Sequence, residues 1–271
     1  MNFYALLFCL AVASSYVFAI RVHVPPRLAC LDRNAPELVR FRLWRISLLC
    51  VFTVLFVPWV NWALLGLYPS YISAIRQLGL VPGFSLSGSV LVDSANIAKT
   101  TLKMALLYIG PLAQYALSKP DLASDLASSY LSVWGFRDHV FGPITEELVY
   151  RAAVVSVLLP IADAHKITIW APSLFGVAHL HHGIQLLRDG VPLTDASAQV
   201  AFQFIYTTLF GILANHVYLS TQCNLWCAVA MHAAANLGSF PSFELRHKHP
   251  RLFLVYCASL VAGAVSFYKL L

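Results

Sequence analysis

The chain has 271 residues, 59% of them apolar and only 11% charged, with a mean hydropathy of +0.71. Water-soluble domains carry about 25% charged residues, so the composition excludes one and points to a chain that lives in a membrane. The net charge of +6 argues for membrane orientation and against nucleic-acid binding, because the basic residues gather in loops instead of spreading along the chain.

Met1 to Ile20 is apolar and uncharged and is followed by Arg21. Val17-Phe18-Ala19 offers a small-residue cleavage site, but the basic residues follow this segment instead of preceding it. It therefore reads as a retained first span, not a signal peptide. Arg21 to Arg45 is a loop with six arginines (21, 27, 33, 40, 42 and 45) against Asp32 and Glu37. A second span covers Ile46 to Leu67, with a bend expected at Pro58. Pro69 to Asn96, rich in Gly, Ser and Pro, reads as a long loop. A third span covers Ile97 to Leu117, and Lys119 to Val140 is polar and mixed.

The fourth span begins near Gly142-Pro143, where a proline is preorganised for the first helical turn, and ends at Pro160 to Asp163. The fifth covers Ile167 to His182. Ala196 to Phe243 holds no Asp, Glu, Lys or Arg. It is too long for one crossing of about 20 residues and divides at Ser220 to Asn224. It supplies a sixth span, Val200 to Leu219, and a seventh, Leu225 to Leu237. Phe240 to Arg251 is a second basic loop, and Leu252 to Tyr268 is the last span. No internal repeat is visible.

The expected fold is all-α: a single polytopic membrane domain over residues 1–271 with about eight transmembrane helices around an intramembrane cavity open to the cytosol. An even number of spans separates the two basic loops, so both fall on one side, which the positive-inside rule makes cytosolic. The polar residues of spans four, five and seven then share the cytosolic half of the membrane.

Those residues carry the chemistry. Glu146, Glu147 and Arg151 open a run, Ala152 to Ile161, that carries no further charge. Ionisable residues at membrane depth are expensive and mark function by default. Glu147 and Arg151 stand at i, i+4 with the acid first, the order favoured for a self-neutralising pair. Glu146 lies about 100° around the helix, with Tyr150 four residues on and no cation of its own. Phe175 and His179 share one face of span five, and His232 and Asn236 one face of span seven. A carboxylate with a histidine can deprotonate a water molecule. A second imidazole and a carboxamide can hydrogen-bond the oxygen that turns negative at a tetrahedral carbon.

Two chemical rivals use the same chain. Zinc hydrolysis would take His179, His232 and a Glu as ligands, although no His-Glu-x-x-His is present. A cysteine mechanism at Cys223, Cys227 or Cys257 needs a thiolate, and no cation stands nearby in sequence to make one. The six cysteines form no CxxC pair. A non-enzymatic transporter or scaffold with a Glu/His relay is the reading from a different class; transporters commonly show internal repeats and polar groups around the midplane.

Glu146-Glu147-x-x-x-Arg151, Phe175-x-x-x-His179 and His232-x-x-x-Asn236, in this order on hydrophobic helices, resemble the motifs of the type II CAAX prenyl endopeptidases. Pro143 to Arg151 and Phe175 to His182 resemble most the eukaryotic Ras-converting branch of that family. The resemblance implies a glutamate-type intramembrane protease of the endoplasmic reticulum membrane, its site facing the cytosol. Its substrates would be prenylated CAAX proteins such as small GTPases, farnesylated or geranylgeranylated, which lose their last three residues. It also implies that Glu146 is the general base, that His179 orients the water, and that His232 and Asn236 hold the oxyanion. Glu147 and Arg151 would keep the site's shape, and no metal or other cofactor takes part. Apart from the resemblance, Phe175, one of the aromatic residues on the spans, is the candidate substrate contact. The catalytic core would cover about residues 140–240. Residues 233–235 are alanines where relatives often carry larger or polar side chains. The spacing leaves open which of His179, His181 and His182 faces Glu146.

Overall fold

The structure, a computed structural model, describes residues 3–117, 121–238, 240, 241, 243, 245–248 and 250–271. Among them there are helices and turns but no β-strand. Helix α1 (Phe3–Arg21) is apolar along its length and ends on Arg21. Helix α2 (Pro36–Trp59) starts well before the expected Ile46, because Pro36 and Glu37 form a helix-initiating pair of proline and first-turn acid that hydropathy does not register. Pro58 lies inside α2, and a π-helical turn, Val60–Leu64, follows directly; proline lacks the N–H that an α-helical ladder needs.

Helix α3 (Val90–Leu107) is capped by Ser89, whose hydroxyl accepts from the Val92 N–H, and α4 (Ile109–Leu117) continues after a break at Tyr108. Pro111 cannot donate to the Leu107 carbonyl four residues back, which accounts for that break. The expected fourth span is built as α5 (Gly142–Glu147), a π-helical stretch Leu148–Ala153, and α6 (Val154–Leu158). The expected fifth is divided into α7 (Ala164–Trp170), α8 (Pro172–His179) and α9 (His181–Arg188). Asp163 caps α7, and Pro172 opens α8. Then come α10 (Leu193–Ser220), α11 (Leu225–Gly238) and α12 (Pro250–Leu270).

Among the described residues, four helical segments are long and apolar enough to cross a membrane: Phe3–Arg21, Pro36–Leu64, Leu193–Ser220 and Pro250–Leu270. They bury only 17–33% of their apolar windows inside the protein, so most of their side chains face outward, as lipid contact requires. The segment from α5 to α6 behaves oppositely. Every residue from Leu148 to Leu158 is buried, and a helix apolar all round belongs in the interior. Helices α1, α2, α8, α10 and α11 all touch it. Its polar Ser156 is satisfied inside, donating to the Ala153 carbonyl and accepting from Asn61 Nδ2. The carboxylates therefore stand on the central helix of the bundle.

Side-chain ties gather several chain ends at one end of the bundle. Arg21 Nη1 donates to Gln185 Oε1 at 3.3 Å, Trp134 Nε1 to the Asn34 carbonyl at 2.8 Å, and Arg137 Nη1 to Asn34 Oδ1 at 3.1 Å. The first basic loop thus lies against the entry to α5 and the exit from α8 and α9. The second basic loop leaves α11 at the same end; its residues 242, 244 and 249 lie outside the described ones, as does Lys119 of the polar stretch. At the opposite end Asp93, fully buried, accepts from Ser85 Oγ, Ser87 Oγ and the Gly83 N–H, and Asn224 Nδ2 donates to the Asp93 carbonyl.

Candidate active site

The central helix is fixed in rotation by α1. Tyr16 donates its hydroxyl to Thr145 Oγ1 at 3.0 Å, because the Thr145 hydrogen goes to the Phe141 carbonyl at 2.8 Å. Tyr150 donates to the Ala13 carbonyl at 3.2 Å. Two π-helical stretches, Arg137–Phe141 and Leu148–Ala153, flank the α5 residues Gly142–Glu147. Such stretches re-aim side chains and recur at functional sites.

The two glutamates diverge. Glu147 is fully buried, and its Oε2 lies 3.0 Å from Arg151 Nε. Its Oε1 lies 2.6 Å from His232 Nδ1, and since a carboxylate only accepts, the imidazole donates. Glu146 turns the other way, with 23% of its side chain exposed to a cavity of about 700 Å³. His232 Nε2 stands 3.9 Å from Glu146 Oε2, beyond direct hydrogen-bond reach. One imidazole therefore sits between two carboxylates, bonded to one and facing the other.

Arg151 is 1% exposed; its Nε meets Glu147 as an ion pair, and Nε, Nη1 and Nη2 have no hydrogen-bond partner among the described residues. Aromatic faces take that place: the guanidinium carbon lies 4.4 Å from the Phe175 ring centroid and 5.7 Å from that of Phe210. Cation–π contacts of this kind hold a desolvated guanidinium. Small residues keep the wall tight. A Cβ at Gly211 would stand 2.7 Å from Pro172 Cβ and 3.1 Å from Arg151 Nη2, and one at Gly176 would stand 2.3 Å from Thr208 Oγ1, so α8 and α10 approach as closely as membrane helices do at glycine.

His179 Nδ1 lies 2.8 Å from the Phe175 carbonyl. A carbonyl only accepts, so Nδ1 carries the hydrogen and the neutral ring keeps its Nε2 lone pair. His179, His181 and His182 all line the cavity. None of the three comes within ion-pair reach of Glu146; among the described residues His232 does. Asn236 is also on the cavity wall and gives its amide to the Asp138 carbonyl at 2.7 Å. Phe175, expected to touch substrate, is 3% exposed, its ring packed 4.6 Å from His179, 5.1 Å from Tyr150 and 6.3 Å from His232. It is a buried platform that reaches the cavity only in part.

Sequence reasoning missed Phe210, 5.1 Å from the His232 ring, and four arginines, 21, 33, 42 and 137, that line the same cavity. Three of these arginines, 21, 33 and 42, carried a signal, their clustering in one stretch, which hydropathy reasoning uses only for orientation. Among the described residues no three His, Cys, Asp or Glu side chains stand together as a metal centre needs. Cys223 lies in the turn between α10 and α11, at the far end from Asn236. Burial pushes its thiol up to about 12, so no thiolate forms there near neutral pH.

Residues 128–238, a stretch that includes all of the residues from Glu146 to Asn236, match the family described as type II CAAX prenyl endopeptidase Rce1-like. The chain is 29% identical over 259 residues to CAAX prenyl protease 2 of Saccharomyces cerevisiae, covering 89% of this chain and 81% of that one. It is 30% identical over 255 residues to CAAX prenyl protease 2 of Homo sapiens, covering 90% and 73%. No solved structure matches the chain significantly. The chain belongs to the type II CAAX prenyl endopeptidase family and is a protease.

Proposed function

We propose that this protein removes the C-terminal three residues from prenylated CAAX proteins, small GTPases among them, by glutamate-activated attack of water inside the membrane. The observation that carries this reading is the division of labour between adjacent acids. Glu147 is paired with Arg151 and accepts the His232 Nδ1–H, while Glu146 faces the cavity with no Lys or Arg in ion-pair reach among the described residues.

In this mechanism Glu146 takes a proton from water, and His179 orients that water through its Nε2 lone pair. The hydroxide adds to the scissile carbonyl, and the carbonyl oxygen becomes an oxyanion. His232 donates to it from Nε2 while its ring carries both protons, with Glu147 balancing the charge from the other side. Asn236, on the same wall, is the second donor. Collapse of the tetrahedral intermediate breaks the C–N bond, and Glu146 returns its proton to the departing amine. The products are a prenyl-cysteine carboxylate and a tripeptide.

The lipid half of the substrate suits the apolar part of the cavity, where Val17, Ile20 and Ile46 stand on one side and Tyr206 and Phe240 on another. We read the broken segments α3–α4, α5–α6, α7–α9 and α11 as crossings too. With the four long helices they make about eight in one membrane domain over 1–271, with its core at about 140–240. The basic loop at the site end supports a cavity mouth on the cytosolic side, and the proposed substrate class supports a location in the endoplasmic reticulum membrane.

The test is release of tripeptide from a farnesylated Cys-a-a-X peptide and from its unprenylated counterpart by purified protein in detergent. Release from the farnesylated peptide alone is expected. A monodisperse protein that cuts neither contradicts the reading and favours a relay without hydrolysis.

A further inference from the structure

We propose that Arg21, Arg33 and Arg42 form the subsite that takes the free α-carboxylate at the substrate's C-terminus, an inference that rests on the proposed function above. The products of that reaction fix the demand. A tripeptide beyond the cut ends in a carboxylate about 10 Å along an extended chain from the scissile carbonyl. An apolar cavity that admits this tail must meet a full negative charge with something.

The cavity holds an uncompensated positive cluster. Arg21, Arg33, Arg42 and Arg137 line it together with Glu146 and His179. Arg137 is already neutralised, its Nε 2.6 Å and its Nη2 3.0 Å from the Asp138 carboxylate. The other three have no carboxylate partner among the described residues. Arg21 donates to the neutral Gln185 Oε1 at 3.3 Å, and Arg42 Nη1 to the Arg33 carbonyl at 3.3 Å. Arg42 Nε is shut off from solvent with no hydrogen-bond partner among the described residues, a state that leaves a charged donor's desolvation unrepaid.

The cluster is also placed at the correct end. The Arg137 and Asp138 pair ties it to the reacting groups, because Asn236 Nδ2 bonds the Asp138 carbonyl while Arg137 Nη1 bonds Asn34 in the arginine loop. Guanidinium groups grip carboxylates through two parallel hydrogen bonds, and like-charged groups in a low-dielectric cleft concentrate the field on an incoming anion. Binding the tail at its terminus measures three residues back to Glu146, which gives the enzyme a ruler for where it cuts.

The test compares a farnesylated Cys-a-a-X peptide ending in a free acid with the same peptide ending in an amide, in neutral detergent without anionic lipid. Wild type should show a KM at least about tenfold lower for the acid, the equivalent of one good charge-assisted contact. Arg42→Gln should bring the acid's KM up to the amide's, and a melting temperature in detergent close to that of wild type shows that the variant is folded. Equal KM values for acid and amide in wild type overturn the subsite while leaving the protease reading intact. Equal slowing of both peptides by Arg42→Gln overturns it in favour of a structural arginine. A defect that emerges only on adding phosphatidylserine vesicles, equal for both peptides, overturns it in favour of lipid headgroups. Cleavage of neither peptide by folded wild type removes the protease reading itself and this subsite with it.

Discussion

His232 Nδ1 lies 2.6 Å from Glu147 Oε1, while Nε2 of the same ring lies 3.9 Å from Glu146 Oε2. Two adjacent glutamates thus address opposite nitrogens of one imidazole, and their substitutions should separate cleanly. Glu147→Gln leaves Arg151 buried without its counter-charge and should lower stability by about 3–5 kcal/mol. Glu146→Gln, at the cavity face, should change stability by no more than about 0.5 kcal/mol. Thermal unfolding in detergent reads the difference; equal losses contradict the assignment.

Arg151 is held by aromatic faces as well as by its carboxylate. Arg151→Lys keeps the charge beside Glu147 but loses the planar contact with Phe175 and Phe210. The expected outcome is a stability loss of about 1–2 kcal/mol with part of the activity retained. An unchanged melting temperature shows that the rings contribute nothing.

Phe175 separates two roles kinetically. As a buried platform under His179 and Arg151, Phe175→Ala should cost about 3–5 kcal/mol of stability and lower kcat more than it raises KM. A substrate contact would do the reverse, raising KM in a protein of normal stability.

Much of this was legible in sequence, for identifiable reasons. The pairing of Glu147 with Arg151 follows from helical spacing, and the separate aim of Glu146 follows from its offset. The bond from His232 to Glu147 joins residues on different helices, and no local rule reveals it. The π-helical turn after Glu147 has no composition signature, unlike the one that follows Pro58. Span boundaries at Pro36 and within 164–188 were misplaced because hydropathy averages over the proline and acid that start or break helices. The arginines of the first loop were read only as a topology signal, since which loop residues fold over a cavity depends on ties such as Arg21 to Gln185.

Cys223 gives a pH signature. Its thiol would titrate near 9.0 in the unfolded chain but is pushed up to about 12 by burial in the fold. Above pH 9 the unfolded chain gives up a proton that the folded chain keeps. The stability from this group is therefore complete below that point and is lost as pH rises towards 12, at up to about 1.4 kcal/mol per pH unit. Cys223→Ala should keep full peptidase activity and show a shallower fall in stability between pH 9 and 11. Loss of activity in this variant would reopen a cysteine mechanism.

The role of Glu146 is tested most directly by the rate of tripeptide release from a farnesylated Cys-a-a-X peptide by wild type and Glu146→Ala, each with and without a strong zinc chelator. We predict that the wild-type rate is the same in both conditions and falls by about 10²–10⁴-fold in the variant, the usual contribution of a positioned general base. Chelator-sensitive cleavage by wild type, or near-normal cleavage by Glu146→Ala, would contradict the glutamate mechanism.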